Sequence, residues 1–292
     1  MKALIIAEHA AAAAELVAGA RTMADEVVAI SFGGAYECGA DKVLNITVPE
    51  GLTVDSAVET VNAAFDAENP EVVLGEACRH MKVIAGSLAF YADTAVITDV
   101  TAFEAEGAKS MYFGGIAERV QKAACNVAIY TIGAGVFDGA EGANGSVAEQ
   151  EWVAPARPVK VVSSQVIEKS GVNLFKADVV VAAGRGFAEE SQLSMANDLC
   201  DKLGAGLACS RPLTEGVNWL PTERYVGVSG LMLTPKVYIA VGISGQMQHM
   251  VGCNRSGAIF AINKDKNAPI FKQCDYGLVG DIKTVLPALV AA

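Results

Sequence analysis

Charged side chains are scarce in this sequence: Asp, Glu, Lys and Arg make up 19% of its 292 residues, below the roughly 25% usual in soluble proteins. The basic ones are also outnumbered, 22 against 33, which leaves a formal net charge of −11. Without a Lys/Arg stripe to neutralise phosphates, nucleic acid is not expected as a partner, nor is an acidic membrane surface. No apolar run approaches the roughly 20 residues of a membrane span. The longest stretch free of formal charge, residues 237–254, is broken by Ser244, Gln246, Gln248 and His249, polar groups that lipid would leave unpaired. The apolar run after Lys2 meets Glu8 and His9 before it reaches signal-peptide length, so a cytoplasmic location is expected. Cysteines number seven, an odd count with no C-x-x-C spacing. Reduced core thiols are therefore expected, with neither a disulfide framework nor a metal site. Histidines number three, too few for a credible hydrolytic triad, and neither G-x-S-x-G nor H-E-x-x-H occurs.

What is abundant is apolar: 52% of the residues. Short β-branched runs alternate with Ala-rich segments of helical period, the pattern of a parallel sheet covered by helices. Strands are expected at 2–7, 26–31, 42–46, 71–74, 95–101 and 127–131, with helices at 10–23, 54–68 and 78–91. The stretch 95–121 reads as shorter strands around Gly-containing turns, a possible hairpin insertion. From 133 to 148 the chain is rich in Gly, Ala and Asn, and looser packing is expected there. A second α/β pattern follows, with strands at 178–182, 206–210, 237–241 and 258–262. Its helices are expected at 188–203, from Gly245, and from about Gly280. The fold class is thus α/β, with two wound parallel-sheet domains, 1–165 and 166–292, the second Rossmann-like.

The segment from Val237 to His249 runs from a buried strand through Gly242-Ile243-Ser244-Gly245 into a helix. Such a turn aims free backbone N–H groups and a positive helix end at one spot, which suits a pyrophosphate. It equally describes an ordinary strand-to-helix turn capped by Ser244. No G-x-G-x-x-G opens the first βα unit and no G-x-x-x-x-G-K-[ST] occurs; Gly184-Arg185-Gly186 follows a strand but fits neither pattern. Arg211 stands just after the strand 206–210, at the edge where wound sheets bind ligands. Its guanidinium suits stacking on a planar ring or pairing with an anion, and a structural salt bridge would explain it as well. These residues point to a nucleotide-type cofactor in the second half and leave the reaction open.

Seven stretches, in order, resemble the FAD-binding domain of electron-transfer flavoprotein alpha subunits. They are Gly184-Arg185-Gly186, Ala208-Cys209-Ser210-Arg211-Pro212, Tyr225-Val226-Gly227-Val228-Ser229-Gly230, Val241 through His249, Ala261-Ile262-Asn263-Lys264-Asp265, Ala268-Pro269-Ile270-Phe271, and Asp275 through Asp281. The second and fifth, with the residues around them, are most similar to the Fix-type branch. The first domain matches the family more loosely.

The resemblance implies a redox carrier with bound FAD and no substrate chemistry of its own. Ser244, Gly245, Gln246, Met247, Gln248 and His249 would wrap the pyrophosphate and ribityl region, with His249 donating toward the flavin C2 carbonyl. Arg211 would lie against the isoalloxazine ring, where its charge favours the reduced, negatively charged flavin and raises the potential. Ser229 would bond flavin N5. Arg185, Ser210, Val226, Gly227 and Val228 would line the same cleft, and Asn263, Asp281 and Ile282 would hold the adenosine end. Ser229 stands where many members have Thr, and Val228 where many have Gln. Residues 215–219 also lengthen the connection after Arg211.

The implied partners are an electron-transfer flavoprotein beta subunit, which in the family meets the N-terminal domain and often holds AMP or a second FAD, and a redox protein of acyl-CoA dehydrogenase or reductase type. Membership of a bifurcating two-flavin complex, or a nucleotide-binding module without redox role, are the alternatives. A nicotinamide-dependent dehydrogenase would need the dinucleotide fingerprint that is missing.

Overall fold

The computed structural model of the protein describes residues 1–139, 142–165 and 173–292. They fall into two compact units, Met1–Tyr112 with Glu118–Val166, and Phe113–Ala117 with Ile167–Ala292. The anticipated junction at 165/166 adjoins residues 166–172, which lie outside the described ones.

In the first unit, strands β1 (Lys2–Ile6), β2 (Glu26–Phe32), β3 (Lys42–Ile46) and β4 (Val72–Glu76) alternate with helices α1 (Ala10–Ala20), α2 (Val58–Glu68) and α3 (Arg79–Tyr91). Strands β5 (Val96–Glu104), β6 (Gly107–Tyr112), β7 (Ala117–Gln121), β8 (Ala128–Ile132) and β9 (Ser146–Glu149) follow. All nine form one sheet in the order β7-β6-β5-β8-β4-β1-β2-β3-β9. The alternation of side chains along a strand sends β1 to both faces. Ala3 and Ile5 pack with Ala13, Leu16 and Val17 of α1, while Leu4 and Ile6 meet Val61 of α2 and Met81, Ile84 and Leu88 of α3. Both faces being covered, the strand reads as an unbroken apolar run.

The stretch expected as a hairpin insertion is β5 paired antiparallel with β6, with a register shift between Val100 and Ala102. Helix α1 stops three residues earlier than its Ala-rich run suggests, and just beyond its end the Thr22 hydroxyl donates to the Gly19 carbonyl at 2.7 Å. The Gly-rich stretch holds the unanticipated β9, a fully exposed edge strand on β3.

In the second unit the elements are β10 (Val179–Ala183), α4 (Leu193–Leu203), β11 (Gly206–Cys209), α5 (Pro212–Glu215), β12 (Val237–Val241), α6 (Met247–Met250), β13 (Ala258–Asn263), β14 (Tyr276–Val279) and α7 (Ile282–Ala291). The strands form an all-parallel sheet in the order β11-β10-β12-β13-β14, a doubly wound 2-1-3-4-5 arrangement. Helices α4 and α7 cover one face through Ala196, Leu199, Ile282 and Leu286. The other face is closed by Val226, Leu233, Met250 and Cys253 packed on Tyr238 and Ala240. Strand β14 was not foreseen, since its four residues are all exposed and include Gly277. The helix expected from Gly245 is a single turn that starts at Met247.

At the end of α2, Glu68 keeps only 8% of its side chain exposed and ties two strands together. It accepts from Lys2 Nζ at 3.1 Å and from Lys42 Nζ at 2.6 Å. Burial pushes its carboxyl up, but the two ammonium bonds prevail and hold it below the ordinary value. A depressed carboxyl stabilises the fold above the unfolded-state pKa, and that contribution disappears as pH falls through the folded value. Glu68→Gln should therefore cost about 2 kcal/mol at neutral pH and progressively less as pH falls below about 4, as urea denaturation across that range would measure.

Candidate cofactor site

In the second unit the chain goes from β10 to β11 on one side of the sheet and then to β12 on the other, so the exits of β10 and β12 face each other. Wound sheets bind ligands in the crevice outside such a switch point. Here the two exits cross backbone against backbone. Gly184 N donates to the Val241 carbonyl at 2.8 Å and Gly186 N to the Gly242 carbonyl at 2.9 Å. A Cβ on Gly184 would stand 2.4 Å from the Gly242 oxygen, and one on Gly186 2.5 Å from the Gly242 Cα. These glycines are required by the close approach of the two loops to each other.

Beyond the crossing, Gly242 and Gly245 take positive φ of 65° and 83°. Among the described residues, the backbone N–H groups of Ile243, Ser244, Gly245 and Gln246 donate no hydrogen bond. Four unpaired amides in succession around left-handed glycines form an anion-binding concavity. With α6 only one turn long, these amides supply most of the local positive field and the helix dipole little. Gly245 is itself pressed on Ile270, whose Cα would lie 2.4 Å from an added Cβ.

Three of the anticipated residues, Asn263, Asp281 and Ile282, line one cavity of about 160 Å³ with Gly186, Gly242, Lys264 and Lys283. Asn263 Nδ2 donates to the Ile243 carbonyl at 2.8 Å, and Asp281 caps α7 by accepting from Lys283 N at 2.8 Å. Their hydrogen bonds thus fix the cavity wall. A larger groove of about 380 Å³ is lined by Trp219, Leu220, Arg224 and residues of α4 and β11. It contains none of the anticipated residues and lies away from the crossing, so the smaller cavity is the relevant one. Trp219 is half-buried against the core and serves as a loop anchor.

A second group is knit by hydrogen bonds around the exit of β11. Ser210 is buried, with its amide on the Ala183 carbonyl at 2.9 Å. Val226 N donates to Cys209 O at 2.9 Å, and Val228 N to Gln248 O at 2.8 Å. Gly227 holds φ 151°, and Ser229 Oγ lies 3.3 Å from the Tyr225 hydroxyl. Arg185, Met247 and Gln248 are exposed. Arg211 is exposed as well, with Nε bonded to Glu215 Oε2 at 2.6 Å. Arg211 thus forms an exposed salt bridge, for which its i,i+4 spacing to Glu215 was the signal.

His249 is buried, with Nε2 3.0 Å from the hydroxyl of fully buried Tyr238. Its Nδ1 is buried and has no hydrogen-bond partner. Burial pushes the imidazole down from 6.5 to about 4, an effect the nearby Val226 carbonyl partly offsets. The ring is neutral at neutral pH. His9 and His80, in contrast, face Glu76 at 2.7 Å and Glu8 at 3.0 Å. Sequence reasoning missed Tyr238, although a tyrosine on a central strand announces that its hydroxyl needs a buried partner.

Fold and site together define a two-unit α/β protein whose second sheet carries a dinucleotide-type anion cradle at its switch point. Residues 3–157 match the electron transfer flavoprotein domain, and residues 173–254 match the electron transfer flavoprotein FAD-binding domain. Protein FixB of Escherichia coli O157:H7 and Protein FixB of Shigella flexneri are each 39% identical to this chain, over 95% of it and 93% of their own lengths. The chain belongs to the electron transfer flavoprotein family, on its alpha-subunit, FixB side. FAD is the cofactor of that domain, and the residues fit it: four unpaired amides, a buried ring nitrogen without a partner, and a cavity bearing two lysines. No helix among the described residues is long and apolar enough to cross a membrane.

Gly184→Ala should force the two exits apart at a cost of about 1–3 kcal/mol and weaken FAD retention, read by thermal denaturation with and without added FAD. The buried histidine gives a separate test. The unfolded chain takes up a proton near pH 6.5 and the folded one only near 4, so stability falls as pH drops across that interval. His249→Asn should flatten that part of the denaturation profile; an unchanged slope would place the imidazole in solvent.

Proposed function

We propose that this chain is the alpha subunit of a heterodimeric electron-transfer flavoprotein. Residues 1–165 would be the domain that meets a beta subunit, and residues 166–292 the domain that carries FAD. Bound FAD supplies the redox chemistry, taking electrons from an acyl-CoA dehydrogenase or reductase type of partner and passing them to a second carrier. The chain's residues bind and tune it. The amides of Ser244, Gly245 and Gln246 receive the diphosphate, while Asn263, Asp281 and Ile282 hold the adenosine end. Ser229 and His249 address the ring edge with neutral hydrogen-bonding groups, and Arg185, Ser210, Val226, Gly227 and Val228 shape the cleft. The observation that carries this reading is the run of unpaired amides at the switch point, beside a histidine that burial holds neutral.

In this assignment Arg211 sets the charge beside the ring, and Glu215 at 2.6 Å cancels part of it. Arg211→Ala should lower the flavin potential, because a reduced, negatively charged ring loses its cation. Glu215→Gln should raise it, because the same cation is then uncompensated. Anaerobic redox titration of the two variants would show opposite shifts, and an unchanged potential in both would remove Arg211 from the ring.

The reading as a whole is tested by the visible spectrum of the chain purified alone and co-expressed with its genomic neighbour. One FAD per chain, reduced by a dehydrogenase and not by NADH alone, is the expected result. A second flavin in the heterodimer would place it in a bifurcating complex. Protein that stays colourless with FAD and the neighbour present would overturn the assignment and leave an adenine-nucleotide module.

A further inference from the structure

Tyr238 occupies an unusual place for a residue with a hydroxyl. It sits on β12, the middle strand of the second sheet, paired with Val180 on one side and Ile259 on the other, with no exposed surface. A hydroxyl taken so far from water needs a partner. Its oxygen has two neighbours, Nε2 of His249 at 3.0 Å and the buried thiol of Cys253. An imidazole nitrogen is a far better acceptor than a thiol sulfur, and the thiol has a weak hydrogen of its own to give. The O–H hydrogen therefore belongs on Nε2, and the thiol hydrogen faces the tyrosine oxygen.

That assignment decides the histidine. A neutral imidazole that accepts at Nε2 carries its hydrogen on Nδ1, the atom that is buried and without a partner. The Val226 carbonyl lies near it without completing a hydrogen bond, and an N–H so poorly served in the interior is costly, so the donor remains available to an oxygen that a ligand brings. We infer that Tyr238 is a positioning residue for the flavin site: its hydroxyl holds His249 in the Nδ1–H tautomer, and so presents a fixed neutral donor to a carbonyl oxygen of the bound ring. This rests on the FAD reading above.

The choice of partner has a chemical consequence. The two other histidines face glutamate carboxylates, whereas His249 faces a neutral hydroxyl. A tyrosine hydroxyl orients the ring without adding charge, so hydrogen bonding is left to His249 and positive charge to Arg211.

The tautomer can be read directly. In full-length protein labelled with nitrogen-15 histidine, at neutral pH and without FAD, the His249 signals are identified by their loss in His249→Ala. They should show a hydrogen on Nδ1 and a bare Nε2. Tyr238→Phe should shift the ring toward the other tautomer and raise the FAD dissociation constant about five- to tenfold. In the His249→Ala background the same substitution should change FAD binding less than about twofold. A wild-type ring protonated at Nε2, an unchanged tautomer in Tyr238→Phe, or an undiminished effect in the His249→Ala background would each overturn the proposal. If Tyr238→Phe does not fold, the wild-type spectrum alone decides. Failure of wild-type protein to bind FAD would remove the function reading instead, while the spectrum of the free protein would still report the Tyr238–His249 bond.

Discussion

The second unit is organised by the crossing of Gly184-Arg185-Gly186 over Gly242, where two strand exits meet with no side chain between them. That contact fixes the path of the loop through Ser244 and Gly245, hence which amides are left unpaired and where the turn of α6 begins. It also sets the floor of the cavity lined by Asn263, Asp281 and Ile282. A single methyl at Gly184 would meet carbonyl oxygen and backbone, atoms that cannot move aside as a flexible side chain can. The anion cradle depends on this approach more than on any one donor.

The sheet architecture was legible because parallel strands buried on both faces must be written as apolar runs, and β1, β10 and β12 are. The edge strands β9 and β14 were not, since all eight of their residues are exposed and carry no burial pattern. At the site, Gly245 and Arg211 could be picked out from residue type and position, while the physical role of each changed on folding. Gly184 and Gly186 answer to a loop on another strand, and separation along the chain hides such a partner. Arg211 is tied to Glu215, a pairing written in the i,i+4 spacing. Tyr238 was invisible because only the folded sheet brings residue 249 over residue 238.

Charge at the site is local and small. A chain of net charge −11 places Lys264 and Lys283 on the wall of the cavity and Arg211 at the exit of β11. Glu215 pairs with Arg211 at the surface, where solvent screening weakens the pair. The unpaired amides add a fixed field of their own on an anion, one that neither titrates nor requires counter-charges.

The first unit shows why such amides matter by what happens where they are taken. Its sheet also reverses direction, between β1 and β4, and the exit of β1 leads directly into α1, an arrangement that ordinarily receives phosphate. There the carboxylate of Glu76 accepts from the amides of Glu8 at 2.8 Å and His9 at 3.1 Å. Its other oxygen faces the His9 ring. A negative side chain thus stands where a phosphate would have to sit, and its charge repels one. Two wound sheets in one chain offer the same kind of crevice, and in the first the Glu76 carboxylate already holds the amides of Glu8 and His9. The other is left open by glycines that have no side chain to fill it.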